Sequence, residues 1–474
     1  MTDSPDRPDE PEDAGLPPEL AEVLKGLTGG QELDPQMVEM MRGMGLDQVD
    51  PQMLQMVAGQ VQAMFAGADE SGSVDVAAAT DIARKTVAAK GDPSITATTS
   101  NDTRQAVDVA NLWLDAVTDV GHPGLVGRAW SRSEWVDATM PVWRELVDPI
   151  AIGVSDAMGA AITKQLGALG EGGLPEGLVP PGTNPAALMG QMQPMLRRMQ
   201  ASMFSVQLGQ AVGTLADEVL TGCEVSLPLV TAPDVVLMPE AITAFAEGLE
   251  IDVPQARLHL AVRESARTRL FHSVPWLASQ VLAAVRDYAR DTTIDTDAIE
   301  EGLRSIDPTD AEAVQQAVAG RLFAPQQSPA QKAALLRLET LLALVEGWVD
   351  VVTGAAVRAH LPQADALGEA VRRRRASGGP AEKTFAALVG LDLRPRRLRD
   401  AANLFAALES SGGATARDAV WAHPDVAPDA ADLDDPLGYV ERQGSTSASD
   451  LDAELDALLR GEAPGNPTDG PTSS

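Results

Sequence analysis

Cysteine, aromatic residues and lysine are all scarce in this chain. Cys223 stands alone among 474 residues, so no disulfide can form within the chain. That usage suits a reducing compartment, and the expected location is the cytoplasm. Phe, Tyr and Trp make up 3% of the residues, so a core must be built from Leu, Val, Ala and Met. Six lysines against thirty arginines make most cations guanidinium groups. A guanidinium keeps its charge and offers a planar fork of donors to carboxylates. Positive charge is short overall: 36 Lys and Arg face 69 Asp and Glu, a net charge of −33. A polyanion is repelled by nucleic acid and by anionic bilayers, so neither is an expected partner. The N-terminus, MTDSPDRPDEPEDAG, lacks the apolar run of a signal peptide, and no stretch reads as a bilayer span.

What the chain does have is helical periodicity, and the expected fold is mostly α. Residues 1–16 read as a disordered acidic tail. Residues 17–73 read as a Met-rich helical segment, in which Asp34-Pro35-Gln36-Met37 is echoed by Asp50-Pro51-Gln52-Met53. Each copy puts Asp at the N-cap and Pro at the first helical position. The segment is either a lid on its own core or a partner-binding helical pair. Residues 74–224 form a helical N-terminal part and 225–431 a second helical domain. Capping boxes at Ser131–Glu134 and Ser328–Gln331 open two long helices. Gly209 and Gly213, four residues apart, allow close helix contact. A loop is expected at 166–186 and a short edge hairpin at 225–239, where VSLPLVTAPDVVLMP is rich in β-branched residues. Residues 432–474 form an acidic, mostly disordered tail. Within it Leu451, Leu455, Leu458 and Leu459 make an amphipathic helix at 449–460, fit to dock on a partner protein or on the chain's own body.

One pentapeptide, Arg263-Glu264-Ser265-Ala266-Arg267, has the outline of a zinc-protease helix. In such helices two histidines at i and i+4 hold the metal, and the glutamate after the first activates water. Here both ligand positions are arginine, which has no lone pair to give and carries like charge to the metal. A later helix offers Glu346 and Asp350, one turn apart in an apolar run, LVEGWVD. Buried carboxylates need partners. Two readings follow: Glu264 as base with Glu346 as metal ligand, or Arg263, Arg267, Glu264, Glu346 and Asp350 as a buried ion-pair network. His259, one turn before Arg263, is a weaker third possibility as ligand. No phosphate-binding loop occurs, and Gly153-Val154-Ser155-Asp156-Ala157 lies in helical pattern, unlike a nucleophile elbow.

Four stretches carry a family resemblance: LALVEGWVD (342–350), RRRRASGGPAEKTFAALVGLDLRPRRLRDAANL (372–404), DAVWAHPD (418–425) and DLDDPLGYV (432–440). With them the chain resembles a family of actinobacterial proteins labelled hydrolases or zincin-like metallopeptidases, whose sister branch is named for coenzyme F420 biosynthesis. The resemblance implies a mostly helical, zincin-like fold for 225–431. It implies zinc as cofactor and, if the protein is active, a peptide substrate. It places Glu264 at the family's base and Glu346 at its third ligand. The position of Arg267 is commonly histidine in that family and that of Arg263 commonly arginine, so this chain departs even from the reduced motif. Weak or absent activity is one expectation; a non-catalytic interaction protein is the other.

The remaining basic concentration is Arg372, Arg373, Arg374 and Arg375, followed by Arg394, Arg396, Arg397 and Arg399. It reads either as an anion patch or as a dock for the chain's own Asp432, Asp434 and Asp435.

Overall fold

The computed structural model describes residues 74–122, 124–172, 185–290, 328–376 and 397–445. The expected tail at 1–16, the Met-rich segment at 17–73, Arg394, Arg396 and the helix at 449–460 lie outside the described residues. Capping chemistry sets the helix starts. Asp75 accepts the amides of Ala77 (2.9 Å) and Ala78 (3.1 Å) to open α1 (Val76–Lys90). Thr96 caps α2 (Ala97–Asp115), and the Ser131–Glu134 box precedes α3 (Arg132–Gly172). There follow α4 (Pro185–Glu218), α5 (Pro239–Gly248), α6 (Val253–Ser273) and α7 (Leu277–Arg290). A full capping box at Ser328 and Gln331 starts α8 (Pro329–Val357). The chain continues through α9 (Ala364–Ala376), α10 (Leu398–Asp418), α11 (Ala430–Asp434) and α12 (Pro436–Ser445). The loop expected from residue 166 starts no earlier than the end of α3 at Gly172.

The hairpin expected at 225–239 is corrected. Only Asp234–Leu237 is a strand, β2, and its partner is the distant β1 (Val126–Ala129). The two run parallel, with Gly127 opposite Val235. Residues 225–232 instead form a bend and an irregular stretch, buried from Ser226 to Val230. A four-residue VGRA strand has too little pattern to be seen before folding.

Helices α6 and α8 lie side by side at the centre. From His259 to Phe271 every residue of α6 is buried. Helix α6 touches α2, α5, α8 and β2, while α8 touches α7 and α10. Helix α8 also qualifies by length and composition as a bilayer span, contrary to the sequence expectation. However, 78% of its apolar window is buried against the rest of the protein, the position of a core helix. The core is continuous from Val74 to Tyr439.

Two close approaches depend on glycine. A methyl added at Gly209 would lie 2.5 Å from the Ala79 carbonyl, so the Gly209–Gly213 face lets α4 lie directly on α1. One at Gly347 would lie 2.7 Å from the Ala401 Cβ, which seats α10 against α8 beside Glu346. Asp418 secures that end of α8. It accepts Trp348 Nε1 (2.8 Å), Arg417 Nε (2.7 Å), Thr118 Oγ1 (2.6 Å) and the Asp119 amide (2.8 Å).

Candidate functional site

The stripe His259, Arg263, Arg267 on α6 faces Glu346 and Asp350 on α8. These residues share faces because i and i+4 positions stack on a helix. Glu346 is fully buried, and four side chains converge on it. Its Oε1 accepts Ser226 Oγ (2.6 Å) and Arg267 Nε (2.9 Å). Its Oε2 accepts Arg263 Nη2 (2.9 Å) and meets Arg375 Nη1 at 3.0 Å. Burial alone would raise the pKa of this carboxyl. The charges of Arg267, Arg375 and Arg263, with the Ser226 hydroxyl, outweigh burial and hold it down at about 2.

Glu264 is equally enclosed, by backbone as well as side chains. The Cys223 amide donates to its Oε1 at 2.6 Å, and Thr221 Oγ1 donates to its Oε2 at 2.8 Å. Arg267 also donates to Oε2, so one guanidinium bridges Glu264 and Glu346. Burial opposes the charge of Arg267, but Glu346 and Glu264 more than compensate, and its pKa is raised. Burial and then Glu264 push the nearby Cys223 thiol up to about 12, which leaves it an inert core group. Asp350 accepts Arg263 Nη1 at 2.9 Å and Arg372 Nη1 at 3.2 Å.

The structure therefore gathers Arg263, Arg267, Glu264, Glu346 and Asp350 into one centre. It adds four residues that sequence reasoning missed in this role: Thr221, Cys223, Ser226 and Arg375. Ser226 stands at φ +64, a left-handed conformation that a non-glycine residue adopts only when its surroundings enforce it. Its hydroxyl bonds to Glu346 and also meets Arg375 at 3.2 Å. Arg375 enters from the last turn of α9, and its guanidinium also donates to the Glu224 carbonyl. Burial pushes its pKa down to about 10, against the offsetting charge of Glu346.

The arginines at 372–375, expected as an anion patch or as a dock for the chain's own carboxylates, all make ion pairs within the chain. Arg372 holds Asp350 and Glu369, Arg373 holds Glu369 (2.8 Å), Arg374 holds Glu224 (3.1 Å) and Arg375 holds Glu346. These guanidinium groups serve the chain's own carboxylates. Arg397 pairs with Asp434 and donates to the Ala430 carbonyl at 2.6 Å, so it docks the segment around α11. Arg399, exposed in the first turn of α10, makes no ion pair among the described residues.

Zinc does not fit these residues as they stand. A structural or catalytic zinc needs at least three side-chain donors with free lone pairs. Both oxygens of Glu264 and of Glu346 already accept hydrogen bonds from N–H or O–H groups. The adjacent positions are cations, and among the described residues no cluster of His, Cys, Asp and Glu could hold a metal ion. His259 does not complete a set: both its ring nitrogens are buried without a hydrogen-bond partner, and neither meets Glu264 or Glu346.

Known proteins place this architecture. A crystal structure described as "a putative hydrolase with a novel fold" from Chloroflexus aurantiacus is similar over 79% of this chain and 100% of its own, with TM-score 0.54 and 16% identity. At that identity the likeness concerns the fold alone. No curated protein matches the chain. The profile of the zincin-like metallopeptidase family matches residues 74–440, nearly the whole described body including α6 and α8. The chain belongs to the zincin-like metallopeptidase family.

Proposed function

We propose that this protein is a metal-free member of its family: a helical binding or interaction protein in which arginine–carboxylate pairs fill the position of the metal. The observation that supports this reading is the occupancy of Glu264 and Glu346. A general base needs a free oxygen facing its water, and a metal ligand needs a free lone pair facing its ion. Here each oxygen of Glu346 and Oε2 of Glu264 meets two donors, from Arg263, Arg267, Arg375, Thr221 and Ser226, and Oε1 of Glu264 accepts the Cys223 amide. Family membership favours the competing reading, a weak zinc peptidase with Glu264 as base and Glu346 as ligand. That reading requires Arg267 and Arg375 to leave a buried site together.

Metal analysis of protein purified without a histidine tag separates the two. The expected result is well below one zinc per chain and no rise in melting temperature on adding Zn²⁺. Stoichiometric zinc, or peptide cleavage that a chelator abolishes, would overturn the metal-free reading. The four stretches quoted above further support an actinobacterial branch of the family, and the single cysteine supports a reducing, cytoplasmic location. For the segment at 449–460, a docking role predicts that deleting residues 445–474 lowers either stability or capture of a partner.

A further inference from the structure

Helix α4 has one face packed and one face exposed. Ala201, Phe204, Ser205, Leu208 and Val212 are buried, on the side where Gly209 and Gly213 lie against α1. The other side carries Met199 at 48% exposure and Met203 at 51%, one turn apart, followed by exposed Gln210 and Thr214. Residues 199–216 of α4 include no charged side chain. In a chain that is 22% charged with a net charge of −33, the solvent face of a helix ordinarily carries charge. An uncharged exposed face with two adjacent methionines suits the uptake of an apolar helix.

The sequence supplies a matching segment. Residues 51–68, between Asp50 and Asp69, contain no charged side chain either. In the helix that Asp50 and Pro51 are expected to open, Met53, Met56, Val57, Val61 and Met64 share one face, and Gln52, Gln55 and Gln62 fall on the other. A helix of that length is marginal alone in water, so its methionine stripe needs a cover. Residues 51–66 lie outside the described residues, but the point where the described body begins is fixed. The Val74 amide donates to Asp148 Oδ1 at 2.8 Å, and the Asp75 amide donates to Ser205 Oγ at 2.9 Å. Ser205 stands two residues beyond Met203 on α4, so the chain enters the body at the level of the exposed methionines. Residues 67–73, GADESGS, reach at most about 25 Å when extended. That is about twice the diameter of a helix, enough to carry the segment round to the outer side of α4.

We propose that residues 51–66 dock as a helix on the uncharged outer face of α4, with their methionine stripe over Met199 and Met203 of the same chain. The short tether favours this occupant over a second copy or a partner protein, because it holds the segment beside the face at a high effective concentration. The inference goes beyond the metal-free reading and is independent of it: zinc content bears on the arginine centre alone.

Hydrogen–deuterium exchange of the full-length protein, read by mass spectrometry on peptides covering 51–66, tests this. The expected result is exchange at least about tenfold slower than that of the same sequence as a free peptide, which holds little helix by itself. Met199→Lys together with Met203→Lys changes two exposed positions, so α1 and α8 should keep their protection. The 51–66 peptides should then exchange about tenfold faster, because docking would bury the two ammonium groups. Free-peptide rates in the unsubstituted protein would leave the face to a partner protein and overturn the proposal. Protection indifferent to the two lysines would overturn it as well. So would protection that rises with protein concentration alongside a dimer in analytical ultracentrifugation, which would assign the face to a second copy.

Discussion

Two ends of one helical stripe meet burial in opposite ways. At Arg263, Glu264 and Arg267 the charged groups are joined by segments from three other parts of the chain: the 221–226 turns, α8 and α9. At His259, one turn earlier, the imidazole is just as buried and has no partner. The comparison shows what makes a buried charge tolerable. Desolvation is offset only where several donors and acceptors converge in fixed geometry. Where they do not, burial and like charge leave the group neutral. The arginine charges thus keep Glu346 on α8 ionised against its burial, while burial and like charge keep His259 on α6 neutral.

The largest effect that would break this contrast is loss of the carboxylate at its centre. Glu346→Ala leaves Arg263, Arg267 and Arg375 facing one another, and should cost about 3–5 kcal/mol in denaturant unfolding. A loss within the noise of an ordinary surface change would mean the arginines have other counter-charges. Next comes the double change Arg263→His with Arg267→His, which restores histidine at both ligand positions around Glu264. The apo variant should be less stable than the wild type. Saturating Zn²⁺ at about a hundred times its dissociation constant should then return about 2.7 kcal/mol. A variant that ignores zinc would show that the arginines do not stand in the metal position.

Acid unfolding sharpens the same comparison. His259 is held from 6.5 down to about 3 in the folded protein, so the unfolded chain binds its proton first. Stability should therefore fall as pH drops below 6.5, with a slope approaching about 1.4 kcal/mol per pH unit from this residue. Glu346 is held from 4.5 down to about 2, so its contribution is complete above 4.5 and disappears as pH falls through that lower window. Unfolding free energy measured from pH 7 to pH 2.5 should thus decline in two stages, and His259→Gln should remove the upper stage alone. The smallest effect belongs outside the centre. Arg373→Ala breaks only an exposed pair with Glu369 and should leave the unfolding midpoint unchanged.

Much of the centre was readable from spacing. The four-residue interval from Arg263 to Arg267, and from Glu346 to Asp350, sets each pair on one helix face before any fold is known. Arg375 was readable too, though hidden in an arginine run: it continues the stripe Leu367, Val371 at four-residue intervals, and both of those are buried. Thr221, Cys223 and Ser226 left no such trace. They lie in turns, and their hydrogen bonds depend on where those turns settle, 41 to 120 residues away from their partners.

By itself the sequence determined the helical architecture, the helix starts and the impossibility of arginine as a zinc ligand, because these follow from local spacing, capping and side-chain chemistry. Only the tertiary structure decided which carboxylate each arginine meets, that β2 pairs in parallel with β1, and that His259 is buried without a partner. Those outcomes depend on which distant segments pack together, and that is settled by the shape of the whole core.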